Sequence, residues 1–318
     1  MSQIVTLTVN PAVDRIMSID HVTPDVKLRC ESVRRDPGGG GVNVARGIRK
    51  LGGDSLAIFT CGGPAGEMYR DLLDREGIPN VPVRIDGLTR EHIMVKETST
   101  GRNYRFGEPG PELKADEADA CVQAVIDLDP TPDYLVLSGS LPPGAGDDFY
   151  ALVIGQVAEH TRVVIDTSGP ALRNALGAGV YLLKPNAREL GELVGRTIEG
   201  QREIEDVSRS LVDEGRAEVV VTSFGAGGAV VVTEDLALRI PAPAVKVESK
   251  VGAGDTMVAG IVFALDRGDS IREAVRLGTA AGAAAVMDPE TGLGSPETAQ
   301  RLYQQMLEEH EIICGPER

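Results

Sequence analysis

The sequence predicts an α/β fold, a mostly parallel sheet with crossover helices, accompanied by a small second sheet. Three observations carry that expectation. Beyond residue 115, β-branched runs alternate regularly with helical segments. The chain opens on an apolar, β-branched run, Ile4 to Val9, that stops abruptly at Asn10-Pro11 and reads as a buried strand. Two polar, hairpin-like stretches, about 12–36 and 89–107, break the alternation and fit a small sheet projecting from the core.

The elements follow in order. After the first strand come short strand-like pieces at Arg15–Ile19 and Leu28–Val33, then four glycines, Gly38–Gly41, opening a helix. Ser55–Cys61 reads as a strand, Ala65–Glu76 as a helix and Val81–Ile85 as a strand. Glu91–Glu97 and Asn103–Phe106 flank the turn Thr98-Ser99-Thr100-Gly101 and read as a hairpin. Strands then alternate with helices: helix 115–127, strand Tyr134–Leu137, helix 147–159, strand Val163–Asp166, helix 170–176, strand Val180–Leu183, helices 187–194 and 202–214. Strand Glu218–Thr222 leads through a Gly-rich turn to strands Ala229–Val232 and Leu236–Ile240. Three helices, near 253–267, 270–287 and 295–309, finish the chain.

Composition excludes several functions. At 318 residues, 42% apolar and 25% charged, the chain can bury a large core. A net charge of −16 argues against a nucleic-acid partner but not against a small phosphorylated substrate, since a few cations can reverse the field within a cleft. Cys30, Cys61, Cys121 and Cys314 lack CxxC spacing and read as reduced, mostly buried thiols. His21, His92, His160 and His310 form no metal-ligand pattern, which disfavours a zinc enzyme or a His-based hydrolase. No run is long and apolar enough to span a bilayer, and the N-terminus lacks a signal-peptide pattern, so cytoplasmic residence is the default expectation.

The residues suited to chemistry fall in loops after strands, which converge on one edge of an open α/β sheet. Gly252-Ala253-Gly254-Asp255 precedes an apolar helix, so its amides face an anion at a helix N-terminus. A carboxylate there repels a bound phosphate unless it takes a proton from an attacking hydroxyl; alone, the stretch is more readily a capped turn. Gly38–Gly41 with Asn43 forms a backbone cradle that is neither a P-loop nor a dinucleotide fingerprint and better suits a hydroxyl-rich ligand. Asn186 and Glu189, after Lys184-Pro185, lie on one face of a helix's first turn, where they suit either Mg²⁺-bound waters or a capping box. Asp166, ending the preceding strand, adds a carboxylate to that metal's outer shell. Asp14, Ser138-Gly139-Ser140 and Ser223–Gly228 complete the set, and Arg90 and Arg105 on the hairpin suit phosphate recognition.

Four stretches, Pro37-Gly-Gly-Gly-Gly-Val-Asn-Val-Ala-Arg46, Gly139-Ser-Leu-Pro-Pro-Gly144, Lys184-Pro-Asn-x-x-Glu-Leu190 and Val251-Gly-Ala-Gly-Asp-Thr-Met-Val258, resemble the signatures of the ribokinase-like (PfkB) carbohydrate kinases. They stand in family order across essentially the whole chain. Lys27-Leu28-Arg29-Cys30 and the unbroken glycines resemble the 6-phosphofructokinase branch. The resemblance implies a three-layer α/β/α sandwich, one domain over residues 1–318 with lid strands inserted at about 12–36 and 89–107. It implies transfer of the ATP γ-phosphoryl to O1 of fructose 6-phosphate, with 1-phosphofructokinase or tagatose-6-phosphate kinase as alternatives. A catalytically dead sugar-phosphate-binding regulator is the non-enzyme alternative.

By position, Asp255 would be the base and the amides of Gly252, Ala253 and Gly254 the anion hole. Asp14, Gly39, Asn43 and Ser138 would hold sugar hydroxyls, and Lys27, Arg90 and Arg105 the sugar phosphate, partly across a homodimer formed by the lids. Lys184, Asn186, Ser223, Gly225 and Gly228 would line the ATP phosphates, with Thr279 and Ala283 near the adenine. Asn186 and Glu189 would organise Mg²⁺ through water. Two departures stand out. Lys250 replaces the Thr usual before the anion hole, and the loop Asp288-Pro-Glu-Thr-Gly292 differs from the potassium-binding loop of relatives, so K⁺ dependence is not carried over.

Overall fold

A computed structural model describes residues 4–288, 293–308 and 312–313. β1 (Ile4–Thr8) is buried throughout, and Val9, Asn10 and Pro11 alone separate it from β2 (Ala12–Ile19). β3 (Ser32–Gly38) returns antiparallel to β2 and delivers the chain to α1 (Gly40–Lys50). β4 (Leu56–Cys61), α2 (Gly63–Arg75) and β5 (Asn80–Arg84) form a parallel crossover unit. β6 (Arg90–Glu97) and β7 (Asn103–Gly107) are the expected hairpin. Next come α3 (Ala115–Ile126), β8 (Tyr134–Ser138), α4 (Phe149–Val157), β9 (Arg162–Asp166), α5 (Gly169–Ala175), β10 (Val180–Leu183), α6 (Ala187–Val194) and α7 (Gln201–Asp213). β11 (Ala217–Ser223), β12 (Ala229–Val232) and β13 (Ala237–Ile240) precede α8 (Ala253–Asp266), α9 (Ile271–Val286), α10 (Pro296–Glu308) and β14 (Ile312–Ile313).

The large sheet runs β14-β13-β12-β11-β10-β9-β8-β1-β4-β5. Pairing is parallel from β5 to β11, whereas β12, β13 and β14 add antiparallel at one edge. Helices cover both faces, because successive strand residues point to opposite sides. On β8, Leu135 and Leu137 join Phe149, Tyr150 and Val153 of α4, while Tyr134 and Val136 join Val258 and Ile261 of α8 and Val275 of α9. Each such apolar side chain stabilises the fold by about 1.5–3 kcal/mol when fully buried. The expected three layers are therefore present. No helix among the described residues is long and apolar enough to cross a membrane.

The small sheet, order β3-β2-β6-β7, is built from the two stretches that broke the alternation. Its second strand differs from expectation: Leu28–Glu31 is not strand, and β3 runs on through Asp36, Pro37 and Gly38. The sequence places Gly38 in the glycine cradle and predicts no strand there, yet an edge strand tolerates a proline, whose missing N–H is needed by no neighbour there. β2 likewise starts two residues before Asp14, which sits within the strand rather than in a turn. Cys61 and Cys121 are buried free thiols, in line with the expectation of mostly buried ones, while Cys30 is exposed because the β2–β3 connection lies on the surface. Cys314 and His310 lie outside the described residues.

Candidate active site

The carboxyl ends of β1, β8, β9, β10 and β11 meet the amino end of α8, and the polar loops named from sequence come together there. Gly252 precedes α8 with φ 73°, the left-handed region that glycine adopts without a Cβ clash. Its carbonyl accepts from the Thr256 amide (2.8 Å) and hydroxyl (2.7 Å), which closes the first helical turn. No side chain caps this terminus. The amides of Ala253, Gly254 and Asp255 are thus in the first turn, where N–H groups have no intrahelical acceptor and draw anions.

Beneath this turn lies a compact charge cluster. The buried Lys184 ammonium is 3.1 Å from Asp166 Oδ1. Gly254 closes over the pair: a Cβ there would stand 3.5 Å from Lys184 Nζ and 4.0 Å from Asp166 Oδ2. Asp255 receives a 2.9 Å hydrogen bond from Asn43 Nδ2 at its Oδ2. Its pKa is pushed from 3.8 up to about 6, first by burial and then by the Asp166 carboxylate; the Asn43 hydrogen bond and the Lys184 charge pull the other way. Asp14 adds a further upward push. For Lys184, burial opposes the charge, but Asp166, Glu189 and Asp255 overcome it and hold the ammonium above its ordinary value. The cluster therefore contains a fixed cation and a carboxylate poised to exchange a proton near neutrality.

The Gly-rich cradle is braced from behind. Arg46 is buried and forms two 2.7 Å bonds to the Glu76 carboxylate and a 3.1 Å bond to the Pro37 carbonyl. The Tyr69 hydroxyl donates to the Gly38 carbonyl at 2.8 Å, and the Val42 amide donates to Thr8 Oγ1 at 2.9 Å. Gly40 permits the close approach of the β8 turn, since a Cβ there would meet Ser138 Oγ at 2.3 Å. Ser138 Oγ is buried and has no hydrogen-bond partner among the described residues. Ser138 lines a cavity of about 230 Å³ together with Asp166, Thr167, Glu189 and Asp255. A larger cavity, about 1090 Å³, opens at the other end of β9, β10 and β11 and gathers no comparable set of catalytic groups.

Asn186 and Glu189 form the capping box: the Glu189 amide donates to Asn186 Oδ1 (3.0 Å), and the Asn186 amide donates to Glu189 Oε2 (2.9 Å). Among the described residues no three His, Cys, Asp or Glu side chains converge to hold a metal directly. Asp166 and Glu189 nevertheless line the same cavity, a donor set suited to a cation carried largely by other ligands and water. Ser223 pairs with Asn186 through an isolated bridge, and Gly225–Gly228 forms a tight turn closed by the Gly228 amide on the Gly225 carbonyl (3.0 Å). Thr279 and Ala283 lie one turn apart on α9; both are buried, and the Thr279 hydroxyl donates to the Val275 carbonyl at 2.8 Å.

On the lid, Arg90 donates to the carbonyls of Asn10 (2.8 Å) and Glu108 (3.2 Å). Arg105 shares a sheet face with Asp14, because it pairs across Met94 with Ile16. Lys27, Arg105 and Lys250 are exposed and have no hydrogen-bond or ion-pair partner among the described residues. The expected departure from a potassium loop falls on residues 289–292, outside the described residues. Sequence reasoning passed over Asn10, whose Nδ2 donates to Ser140 Oγ at 3.3 Å, and the brace of Arg46, Glu76 and Tyr69. The Asn10–Ser140 contact spans 130 residues and leaves no local signal; Arg46 stood inside a recognised motif without an assigned role.

The sequence profile of the family described as "pfkB family carbohydrate kinase" matches residues 7–298. The ATP-dependent 6-phosphofructokinase isozyme 2 of Mycobacterium tuberculosis is 41% identical over 311 residues, covering 98% of this chain and 91% of that one. A crystal structure of phosphofructokinase-2 from Escherichia coli in complex with fructose-6-phosphate superposes with a TM-score of 0.90 at 36% identity, covering 97% of this chain and 100% of that one. A 1-phosphofructokinase of Haloferax volcanii is 35% identical over 277 residues, 86% of this chain and 88% of that one.

The raised Asp255 pKa makes a stability prediction. Between pH 3.8 and about 6 the folded state binds more protons than the unfolded one, so this group's contribution to stability falls as pH rises through that window. Asp255→Asn, which cannot ionise and keeps an acceptor for Asn43, is expected to melt above the parent at pH 7.5, with the gain vanishing below about pH 4. Equal melting temperatures at pH 7.5 would contradict the burial argument.

Proposed function

The chain belongs to the pfkB family of carbohydrate kinases, and from that premise we propose that it transfers the γ-phosphoryl of ATP to O1 of fructose 6-phosphate, giving fructose 1,6-bisphosphate. The observation that carries this reading is Asp255, raised to about 6 and set on the first turn of α8 beside uncapped amides. A base with that pKa can accept the O1 proton as the oxygen attacks in line. The amides of Gly252, Ala253 and Gly254 face the charge that builds on the transferring oxygens. Lys184, held by Asp166, supplies a fixed positive charge beside them. Kinases of this kind use ATP with Mg²⁺; the cation supplies charge neutralisation on the phosphates, and Asp166 and Glu189, with Asn186 ordering the turn, are the side chains suited to its water shell.

Sugar and nucleotide take opposite sides of Asp255 in this proposal. Asp14, Gly39, Asn43 and Ser138 hold sugar hydroxyls; the unpartnered Ser138 Oγ supports this, since a buried hydroxyl without a partner costs about 1–3 kcal/mol until something fills it. Ser223, Gly225 and Gly228 line the nucleotide phosphates, and Thr279 and Ala283 provide an apolar wall for the adenine, since the Thr279 hydroxyl is already engaged. Arg90 and Arg105 grip the 6-phosphate. Lys27 completes the grip from a second copy of the chain, the lids pairing into a homodimer. Support for the pairing comes from Val33 (52% exposed) and Phe106 (60% exposed) on the lid face opposite Asp14. The chain carries 32 Lys and Arg against 48 Asp and Glu, so Lys27, Arg90 and Arg105 on the lid locally oppose the net charge of −16 and favour a phosphorylated acceptor over a plain sugar.

Four outcomes test the proposal. ADP release should be fastest with fructose 6-phosphate among fructose 6-phosphate, fructose 1-phosphate, tagatose 6-phosphate and unphosphorylated sugars, and Asp255→Asn should lower kcat by about 10²–10⁴-fold. Faster turnover of fructose 1-phosphate or tagatose 6-phosphate would move the assignment to that substrate, and no turnover with any of them would leave the regulator reading. Arg105→Ala should raise KM for the phosphosugar and spare KM for ATP. In sedimentation velocity, Phe106→Asp should shift a dimer towards monomer; an unchanged dimer would exclude the lid interface.

A further inference from the structure

Alternation places Arg90, His92 and Met94 on one face of β6, and the parallel register sets His92 directly beside Asp14 of β2. His92 Nδ1 lies 3.3 Å from Asp14 Oδ1, and both side chains are only partly exposed, 29% and 24%. On the other side of Asp14, the antiparallel register sets Asp36 of β3 directly opposite it. Like charges facing each other across a strand pair repel. Asp36 has its own partner, Arg34 Nη2 at 2.8 Å, which leaves Asp14 between a carboxylate and an imidazole. Space on the lid is made for this arrangement. A Cβ at Gly38 would strike Asp14 Oδ2 at 2.3 Å.

We infer that His92 is a positioning residue: its Nδ1–H holds Asp14 Oδ1 away from Asp36, so that the Asp14 carboxylate is presented to the sugar in one orientation. The inference rests on the proposed contact between Asp14 and a substrate hydroxyl. The imidazole need not be charged, since the neutral Nδ1–H tautomer is a sufficient donor. His92 touches no reacting atom in this account. Its effect is on capture of the phosphosugar, upstream of the chemistry at Asp255.

The test has a substrate-free arm and a kinetic arm. Long-range ¹H–¹⁵N correlation spectra of the free protein should show His92 protonated at Nδ1, with that signature lost in Asp14→Ala. A ring protonated only at Nε2 would overturn the inference. In kinetics, His92→Ala should raise KM for fructose 6-phosphate by about tenfold, the scale of one lost hydrogen bond to a charged group, with KM for ATP and kcat nearly unchanged. His92→Asn, which keeps a donor, should recover most of the loss, and His92→Ala should add little on an Asp14→Asn background. If Asp14→Asn raises KM and His92→Ala does not, the inference alone is overturned, as it is if His92→Ala raises both KM values alike. If Asp14→Asn leaves KM unchanged, the assignment of Asp14 to the sugar fails and the inference falls with it.

Discussion

Asp166, Lys184 and Asp255 share a small volume beneath Gly254, and most of the site follows from how their charges balance. Two carboxylates cannot both ionise freely at that depth with one ammonium between them. The Lys184–Asp166 contact at 3.1 Å satisfies one carboxylate, and Asp255 is left with an amide hydrogen bond and a partial share of the lysine. Burial first, and then the Asp166 charge, raise its pKa to about 6 against the pull of Asn43 and Lys184. A carboxylate with an ordinary pKa would be a weaker base, and one without Asn43 and Lys184 would be held protonated more strongly.

That balance depends on the sheet. Asp166 ends β9 and Lys184 follows β10, its parallel neighbour, so the pair is positioned by hydrogen-bonded strands rather than by mobile loops. Asp255 is brought to them by α8, whose buried face is locked against α1 and α9. The lid is built differently. Its four strands are mostly half-buried or exposed, and its cations lie outside the core. A rigid half that carries Asp255 and a thinly packed lid suit the proposed enzyme, which must admit a substrate and then exclude water.

Much of this was legible in sequence, for reasons that can be named. The strand Val180–Leu183 and the helix 187–194 match expectation to the residue, because Pro185 stops one and the Asn186–Glu189 box starts the other. The lid's existence was legible from its broken alternation, but β3 was displaced by several residues. Pro37 and Gly38 carry no strand signal, and only the edge position in the sheet makes them strand. Most of the site's loops were legible because they follow strands, as at Ser138, Asp166, Lys184 and Ser223. What joins them was not: Asn43 to Asp255 spans 212 residues, and His92 meets Asp14 only through the register of β2 and β6. Local pattern carries the elements, while charge balance across the cleft appears only when they are assembled.

The most direct measurement is a ¹³C NMR titration of the Asp255 side-chain carboxyl in the free protein. The account predicts a midpoint near pH 6, moving down in Asp166→Asn as a neighbouring negative charge is removed and Lys184 is freed. A midpoint near 4, or one that ignores Asp166, would mean that Asp255 is an ordinary solvated carboxylate and would contradict the central claim.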